Sequence, residues 1–210
     1  MDLKDKKFVI TIGRQFGSGG HDIGKKLAEA LSIPFYDKEL LLVAAKESGL
    51  NPELFKKADE KLPSFYMSSL AINLGYYIQP FHSSPTADYY ENIQEAISDM
   101  IAKVADKGSC VIVGRCADYH LRDNKNSINI FICASEDACA ERISQREGIT
   151  KEDAINLAKK ENKLRAEYYN FYTNKEWSSS GSYDLCIDSS KISEDDIIKI
   201  ILAYIDIRLL

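Results

Sequence analysis

Short apolar runs alternate with longer amphipathic stretches along this chain of 210 residues. Phe8 to Ile12 is apolar and β-branched and stops at glycine, and from Gly20 to Leu31 the apolar positions Ile23, Leu27, Ala28, Ala30 and Leu31 recur at helical spacing. The pattern predicts strand, glycine loop, helix. Pro34-Phe35-Tyr36 predicts a second short strand, and Lys38 to Ser48 a helix that Gly49 ends. Leu62 to Tyr90 mixes serines, prolines and aromatics, with a helix expected at Ser68 to Ile78 and a break at Pro80 to Pro85, and reads as an insertion over the site. A long helix from about Thr86 to Lys107 then leads through Gly108 into the apolar run Cys110 to Val113, which ends at Gly114-Arg115.

Ile128 to Cys133 and Asp184 to Ile187 repeat that kind of run. Continuous apolar runs separated by helices predict a parallel sheet covered on both faces. Thr150, with Asp153 three residues on, predicts a helix start, and Leu157, Leu164, Tyr168 and Phe171 are expected to form that helix's apolar face. Ser178 to Gly181 reads as a loop, and Ser193 as the cap of a closing helix through Ile197, Ile200, Ile201, Ala203 and Tyr204.

A strand followed by Gly13-Arg14-Gln15-Phe16-Gly17-Ser18-Gly19-Gly20 and then a helix gathers backbone N–H groups and the positive helix end around one point. That predicts an anion site. The familiar phosphate-loop pattern G-x-x-x-x-G-K-[ST] is not met: Gly20 stands where the lysine belongs, His21 where the Ser/Thr belongs, and Arg14 at the first-glycine position. Either Arg14 or a distant arginine supplies the missing charge, or the loop binds phosphate without efficient transfer. The first reading is preferred.

Composition narrows the picture. A formal net charge of -5 and a pI of about 5.3 speak against a nucleic-acid or anionic-membrane partner, since both need a basic face. No apolar stretch reaches membrane-spanning length and no signal core follows the first residues, so a cytoplasmic protein is expected. The five cysteines show no C-x-x-C pair and are expected to be buried free thiols. His21, His82 and His120 are scattered without metal-ligand spacing, and no protein-held metal site is expected.

These residues resemble the cytidylate kinase-like family, whose glycine loop is similar to Gly13 to Gly20. The resemblance continues through Pro34 to Leu40, Val113-Gly114-Arg115, Phe131 to Ser135 with Arg142 and Arg146, Arg165 to Tyr169, Trp177 and Tyr183 to Asp188, nearly the whole chain. It implies a P-loop α/β/α fold with three layers, a five-stranded parallel sheet, a helical insertion that binds the nucleoside monophosphate at about 37–107, and a lid at about 142–177. The implied activity is transfer of the γ-phosphoryl group of ATP, with Mg2+, to a nucleoside monophosphate, most obviously CMP or dCMP. Two alternatives stand beside it: a kinase of another small acceptor, and a non-catalytic nucleotide-binding regulator. The chain departs from true cytidylate kinases in the absent lysine, in Cys116 where those enzymes carry an aspartate after Gly-Arg, and in lacking a clear counterpart to their arginine after Asp37.

Phosphoryl transfer asks for alignment and positive charge, so arginines are the natural catalytic candidates. Arg14, Arg142, Arg146 and Arg165 take that place, Arg142 and Arg146 sharing a helix face at i, i+4. Gly13, Arg14, Gly17, Ser18, Gly19, Gly20 and His21 are expected to hold the ATP phosphates. Arg115, just past a buried strand, is expected on the substrate phosphate; Asp37 is either a substrate or water-orienting carboxylate or only a helix cap. Asp118 is a weaker substrate-site candidate, for the base or a metal, and is expected in solvent. Tyr168, Tyr169, Tyr172 and Trp177 read mostly as packing groups, and Lys159 and Lys163 as a solvated face, with Lys163 the one to turn inward. The tyrosine-rich insertion also offers a surface for a homodimer.

Overall fold

Five parallel strands form one sheet in the order β2-β3-β1-β4-β5. They are β1 (Val9–Arg14), β2 (Phe35–Tyr36), β3 (Cys110–Val113), β4 (Ser127–Cys133) and β5 (Leu185–Asp188). The structure is a computed structural model and describes residues 6–37 and 85–209, with side chains from residue 92 onward in the helix that begins at Pro85. The helices are α1 (Gly20–Leu31), α2 (Pro85–Lys107), α3 (Ala117–His120), α4 (Glu136–Glu147), α5 (Lys151–Thr173) and α6 (Glu194–Leu209). The helices expected at Lys38 to Ser48 and Ser68 to Ile78, and most of the 37–107 insertion, lie outside the described residues.

Alternation along the strands sends the core to two sides. Ile10 and Ile12 of β1, Val111 and Val113 of β3, and Ile130 and Ile132 of β4 pack against Ile23 and Leu27 of α1 and Ile197, Ile201 and Ile205 of α6. On the opposite face Val9, Cys110 and Ile112 meet Ile93, Ile97, Met100 and Ile101 of α2. Burying each such side chain is worth about 1.5–3 kcal/mol, which is why the central strand β3 reads as an unbroken apolar run and β1 and β4 as mostly apolar ones. α4 and α5 form a separate hairpin held by Cys139, Ala140, Ile143, Ala154 and Ala158.

Several boundaries and faces differ from expectation. β1 does not stop at Gly13; it runs on to Arg14, because Gly13 pairs with Phe131 and Arg14 with Ile132 of β4, and the Gln15 N–H then donates to Ile132 O at 3.0 Å. β5 begins at Leu185, since Asp184 instead exchanges two bonds with Asn129: its N–H donates to Asn129 O and its carboxylate accepts from Asn129 N, both at 2.7 Å. Being the edge strand, β5 leaves Cys186 exposed, and Cys133 is half-buried, so only Cys110, Cys116 and Cys139 are the buried thiols expected.

The Thr150 cap is formed, its Oγ1 accepting from Asp153 N at 3.1 Å, but the buried face of α5 is Ala154, Ala158, Tyr168, Tyr169 and Thr173, with Phe171 exposed. The first half of α5 packs on α4 and the second half on Cys116, so the apolar stripe shifts along the helix. On α6, Ile200 is exposed where a buried position was expected. Lys163 is 75% exposed beside Glu167 and does not turn inward.

Candidate active site

The loop between β1 and α1 is shaped by two glycines in the left-handed region, Gly17 at φ +82 and Gly19 at φ +78. At Gly17 a Cβ would lie 2.7 Å from Ile143 Cδ1 and 2.8 Å from Cys139 O, so α4 presses on the loop there and admits no side chain. The outer surface of the loop is pinned. Phe16 N–H donates to Asn162 Oδ1 at 2.7 Å, the Gln15 side chain accepts from Ala134 N at 3.0 Å, and the Ser18 hydroxyl donates to Gln15 O at 2.9 Å. Gly17 O accepts from Arg142 Nη1 at 3.2 Å and Ser18 O from the Ser189 hydroxyl at 2.6 Å. A planar trans peptide turns its N–H opposite its C=O, so pinning Ser18 O outward aims Gly19 N–H into the loop. α1 then opens without a capping side chain, leaving first-turn N–H groups at the same place.

Gly20 explains the missing lysine. A Cβ there would lie 2.6 Å from Arg14 Cβ and 3.2 Å from Ile132 Cβ. The space that any side chain at position 20 would need is filled by Arg14, whose guanidinium reaches to 4.0 Å from Asp37 Oδ1. Asp37 is buried at the end of β2 and also faces His21 Nε2 at 3.4 Å, while His21 Nδ1 lies 3.0 Å from Asp22.

A cleft partly open to solvent lies against β1 and β3. Its lining includes three cationic side chains, Arg14, Arg115 and Arg165, beside Gly13 and Gly114. Arg115 is 2% exposed and sits in a run of three left-handed residues, Gly114 (φ 74), Arg115 (φ 59) and Cys116 (φ 52). Two of these are not glycine, a conformation that stores strain of order 1–3 kcal/mol per residue and collects at functional sites. Arg165 crosses from α5, donating to Arg14 O at 3.0 Å, with its guanidinium 5.4 Å from the Phe16 ring.

The other lid-side arginines do not join them. Arg142 donates to Gly17 O, Ser189 Oγ and Ser189 O (2.7 Å), a brace between loop and β5. Arg146 bonds Glu147 at 2.8 Å and lies 5.0 Å from the Phe16 ring centre, largely exposed.

The same lining also has aromatic and acidic members, Tyr168, Tyr169, Trp177, Tyr183 and Asp118. Here Asp118 is not in solvent: it is 9% exposed because Cys116, Tyr168 and Tyr169 close over the start of α3. It accepts from the Tyr169 hydroxyl at 2.6 Å. Burial raises the Asp118 carboxyl above its ordinary value, outweighing the Tyr169 hydrogen bond and Lys175, which lower it. Burial likewise raises the Tyr168 and Tyr169 hydroxyls, so both are neutral. The expected packing role of these tyrosines therefore holds together with a place in the cleft wall. His120, pushed down to about 4 by burial, stands apart from the lining. The brace residues Ser189 and Asn162 carry no sequence signal, since lone polar residues on a strand end and a helix are ordinary.

Among the described residues no group of three or more His, Cys, Asp or Glu could hold a metal ion, and no helix is long and apolar enough to cross a membrane. A Mg2+ bound mostly by phosphate oxygens and water needs only one or two carboxylates, and Asp37 beside the loop suits that need.

Residues 9–191 match the sequence model of the cytidylate kinase-like family. The chain is 28% identical over 202 residues to a cytidylate kinase of Pyrococcus horikoshii, spanning 95% of this chain and 89% of that one. It is 31% identical over 201 residues to a cytidylate kinase of Methanocaldococcus jannaschii, spanning 94% and 97%. Among solved structures, an uncharacterized protein from Eubacterium ventriosum is similar at a TM-score of 0.72 and 35% identity over 95% of this chain and 99% of that one. A shikimate kinase from Bacteroides thetaiotaomicron shares the fold at a TM-score of 0.55 and 14% identity, over 96% and 99%.

Proposed function

Because the chain belongs to the cytidylate kinase-like family, we propose that it transfers the γ-phosphoryl group of ATP to a nucleoside monophosphate, CMP or dCMP foremost. The observation that carries this reading is the convergence of Arg14, Arg115 and Arg165 with the glycine loop on one cleft at the carboxyl edge of the sheet, where open α/β sheets bind ligands. An acceptor phosphate oxygen forms the new P–O bond as the bond to the β-phosphate breaks, giving ADP and a nucleoside diphosphate. The acceptor phosphate is already ionised, so no general base is needed; alignment and charge stabilisation are.

In this reading the N–H groups of Gly17, Gly19 and His21 hold the donor phosphates, while Gly20 N–H donates to Ser18 Oγ at 3.4 Å and Gly13 packs under Phe131 and Tyr183. Arg14 supplies the charge that lysine supplies in other phosphate loops, and Gly20 is the glycine that makes room for it. Arg115 binds the acceptor phosphate. Arg165, carried on α5 and stacked near Phe16, covers the transferring group, and the 142–177 segment serves as lid. Arg142 becomes a positioning residue that holds Gly17 O, and Arg146 a lid surface residue. When bound, Mg2+ neutralises phosphate charge; Asp37 is the carboxylate that would orient its waters, held in place by Arg14 and His21.

The test is ADP release from ATP and Mg2+ across a panel of nucleoside monophosphates. CMP or dCMP should give turnover at rates of about 1–100 per second. Binding of ATP without ADP release from any acceptor would instead support the regulator reading, which the lysine-less loop favours. Turnover only with a non-nucleotide hydroxyl would support a different kinase.

A further inference from the structure

Resting on the phosphoryl-transfer reading, we infer that Asn162 is a positioning residue for that step: through Phe16 it sets the end of β1 against α5 and so aims the Arg165 guanidinium at the transferring group. The register of the sheet shows what α5 replaces. Even-numbered residues of β1 and its flanks turn their backbone groups toward β3, where Cys110 N–H donates to Phe8 O at 3.3 Å and Gly114 N–H to Ile12 O at 3.0 Å. Odd-numbered ones turn toward β4, where Gln15 N–H donates to Ile132 O at 3.0 Å. Arg14 O and Phe16 N–H are the next pair on the β3 side, but β3 ends at Val113 and the chain turns away through the left-handed residues Gly114 to Cys116. Side chains of α5 take that pair instead. Arg165 Nη1 donates to Arg14 O at 3.0 Å, and Phe16 N–H donates to Asn162 Oδ1 at 2.7 Å.

Asn162 and Arg165 are three residues apart on a helix, so they share a face and meet the loop together. The Phe16 ring completes the grip. It packs against the α4–α5 cluster, with the Arg165 guanidinium 5.4 Å and that of Arg146 5.0 Å from its centre. The ring that steadies Arg165 thus belongs to the residue whose backbone Asn162 holds. Both contacts that orient Arg165, to Arg14 O and to this ring, depend on where residues 14 to 16 lie relative to α5. An amide at position 162 accepts the Phe16 bond without setting a negative charge beside Arg165.

This grip is separate from the one that shapes the glycines. Gly17 O and Ser18 O are held by Arg142 and Ser189, and neither bond involves Asn162. Losing the α5 tie should therefore disturb the charge that meets the transferring group more than the N–H groups that hold the donor phosphates. A displacement of about 1 Å in such a group costs about a hundredfold in rate.

The test is a double-variant cycle of Asn162→Ala and Arg165→Ala in the full chain. Turnover is measured with whichever nucleoside monophosphate reacts fastest, and ATP and ADP binding by calorimetry with Mg2+. Asn162→Ala should lower kcat about ten- to a hundredfold and change the KM for ATP by a smaller factor. In the Arg165→Ala background it should cost less than about threefold more, because a residue that acts through Arg165 has nothing to aim once the guanidinium is gone. Phe16→Leu keeps the backbone bond and the apolar bulk but removes the ring face, and should lower kcat about three- to tenfold. Its own cycle with Arg165→Ala carries the test if Asn162→Ala does not fold.

Losses that multiply in the double variant overturn the inference and leave Asn162 a residue of stability only. A rise in KM at unchanged kcat in Asn162→Ala overturns it too. If the unaltered chain binds ATP but releases no ADP from any acceptor, the kinase reading fails and calorimetry decides the inference by itself. The preference for ATP over ADP, which reports a cation on the γ-phosphate, should then fall in each single variant and no further in the double one; additive falls overturn the inference. No ATP binding at all sinks both.

Discussion

At the scale of single residues, Gly20 and Arg14 act as one unit. With a Cβ at position 20 lying 2.6 Å from Arg14 Cβ, restoring the usual lysine by Gly20→Lys displaces Arg14 instead of adding to it. Overpacking of this kind costs about 1–3 kcal/mol, so Gly20→Lys should lower the denaturant midpoint and reduce turnover. Arg14→Ala should abolish transfer while the protein remains folded; unchanged turnover in a kinetic assay would reject Arg14 as the substitute cation.

Asp118 makes a second residue-scale prediction. Its folded-state carboxyl lies above the ordinary 3.8, so the folded protein holds the proton more tightly than the unfolded chain. Stability from that group is therefore full at pH below its unfolded value and is lost as pH rises through its folded value. Asp118→Asn should raise the melting temperature, by an amount that grows between about pH 4 and pH 7. A gap that stays constant or shrinks would show that the carboxyl is not under strain. The sequence showed Gly20 as an anomaly, since a glycine at the lysine position is visible without coordinates. It hid Asp118, because burial at a helix start depends on Tyr168 and Tyr169, about fifty residues away in the chain.

At the scale of elements, the loop keeps its shape through its neighbours. Arg142 ties Gly17 O to Ser189 at the end of β5, and Ser189 ties Ser18 O in turn. Removing the guanidinium leaves carbonyls with no donor, a loss of about 1–3 kcal/mol. Arg142→Ala should raise the KM for ATP more than it lowers kcat, with a lower melting temperature. A large fall in kcat at unchanged KM would instead place Arg142 on the transferring group. The i, i+4 spacing correctly put Arg142 and Arg146 on one helix side, yet spacing says nothing of what stands opposite. Arg142 meets a loop carbonyl and the β5 end, Arg146 its neighbour Glu147. In the same way Thr150 announced the start of α5, because a cap is local, while the buried face of α5 followed its two packing partners.

For the whole molecule, the acidic balance of -5 coexists with three arginines in one cleft, gathered from β1, the β3 end and α5. A ligand that binds only the folded state stabilises it by about 2.7 kcal/mol at one hundred times its Kd. ATP should therefore raise the melting temperature of the protein, and Arg14→Ala and Arg165→Ala should each diminish that rise. A rise that both variants retain in full would move the phosphate site away from this cleft.

What the sequence determined by itself is the architecture and the location of chemistry. Apolar runs of four to seven residues divided by helical periodicity specify the parallel sheet, because both periods report burial directly. The glycine loop after β1 marks the anion site, because glycine takes without steric cost the left-handed φ values that Gly17 and Gly19 adopt. Tertiary structure alone decided which polar side chains face the cleft. Arg115 and Arg165 enter it, Arg142 braces the loop, and Asp118 lies buried against Tyr169, since each outcome depends on contacts between residues far apart in the chain.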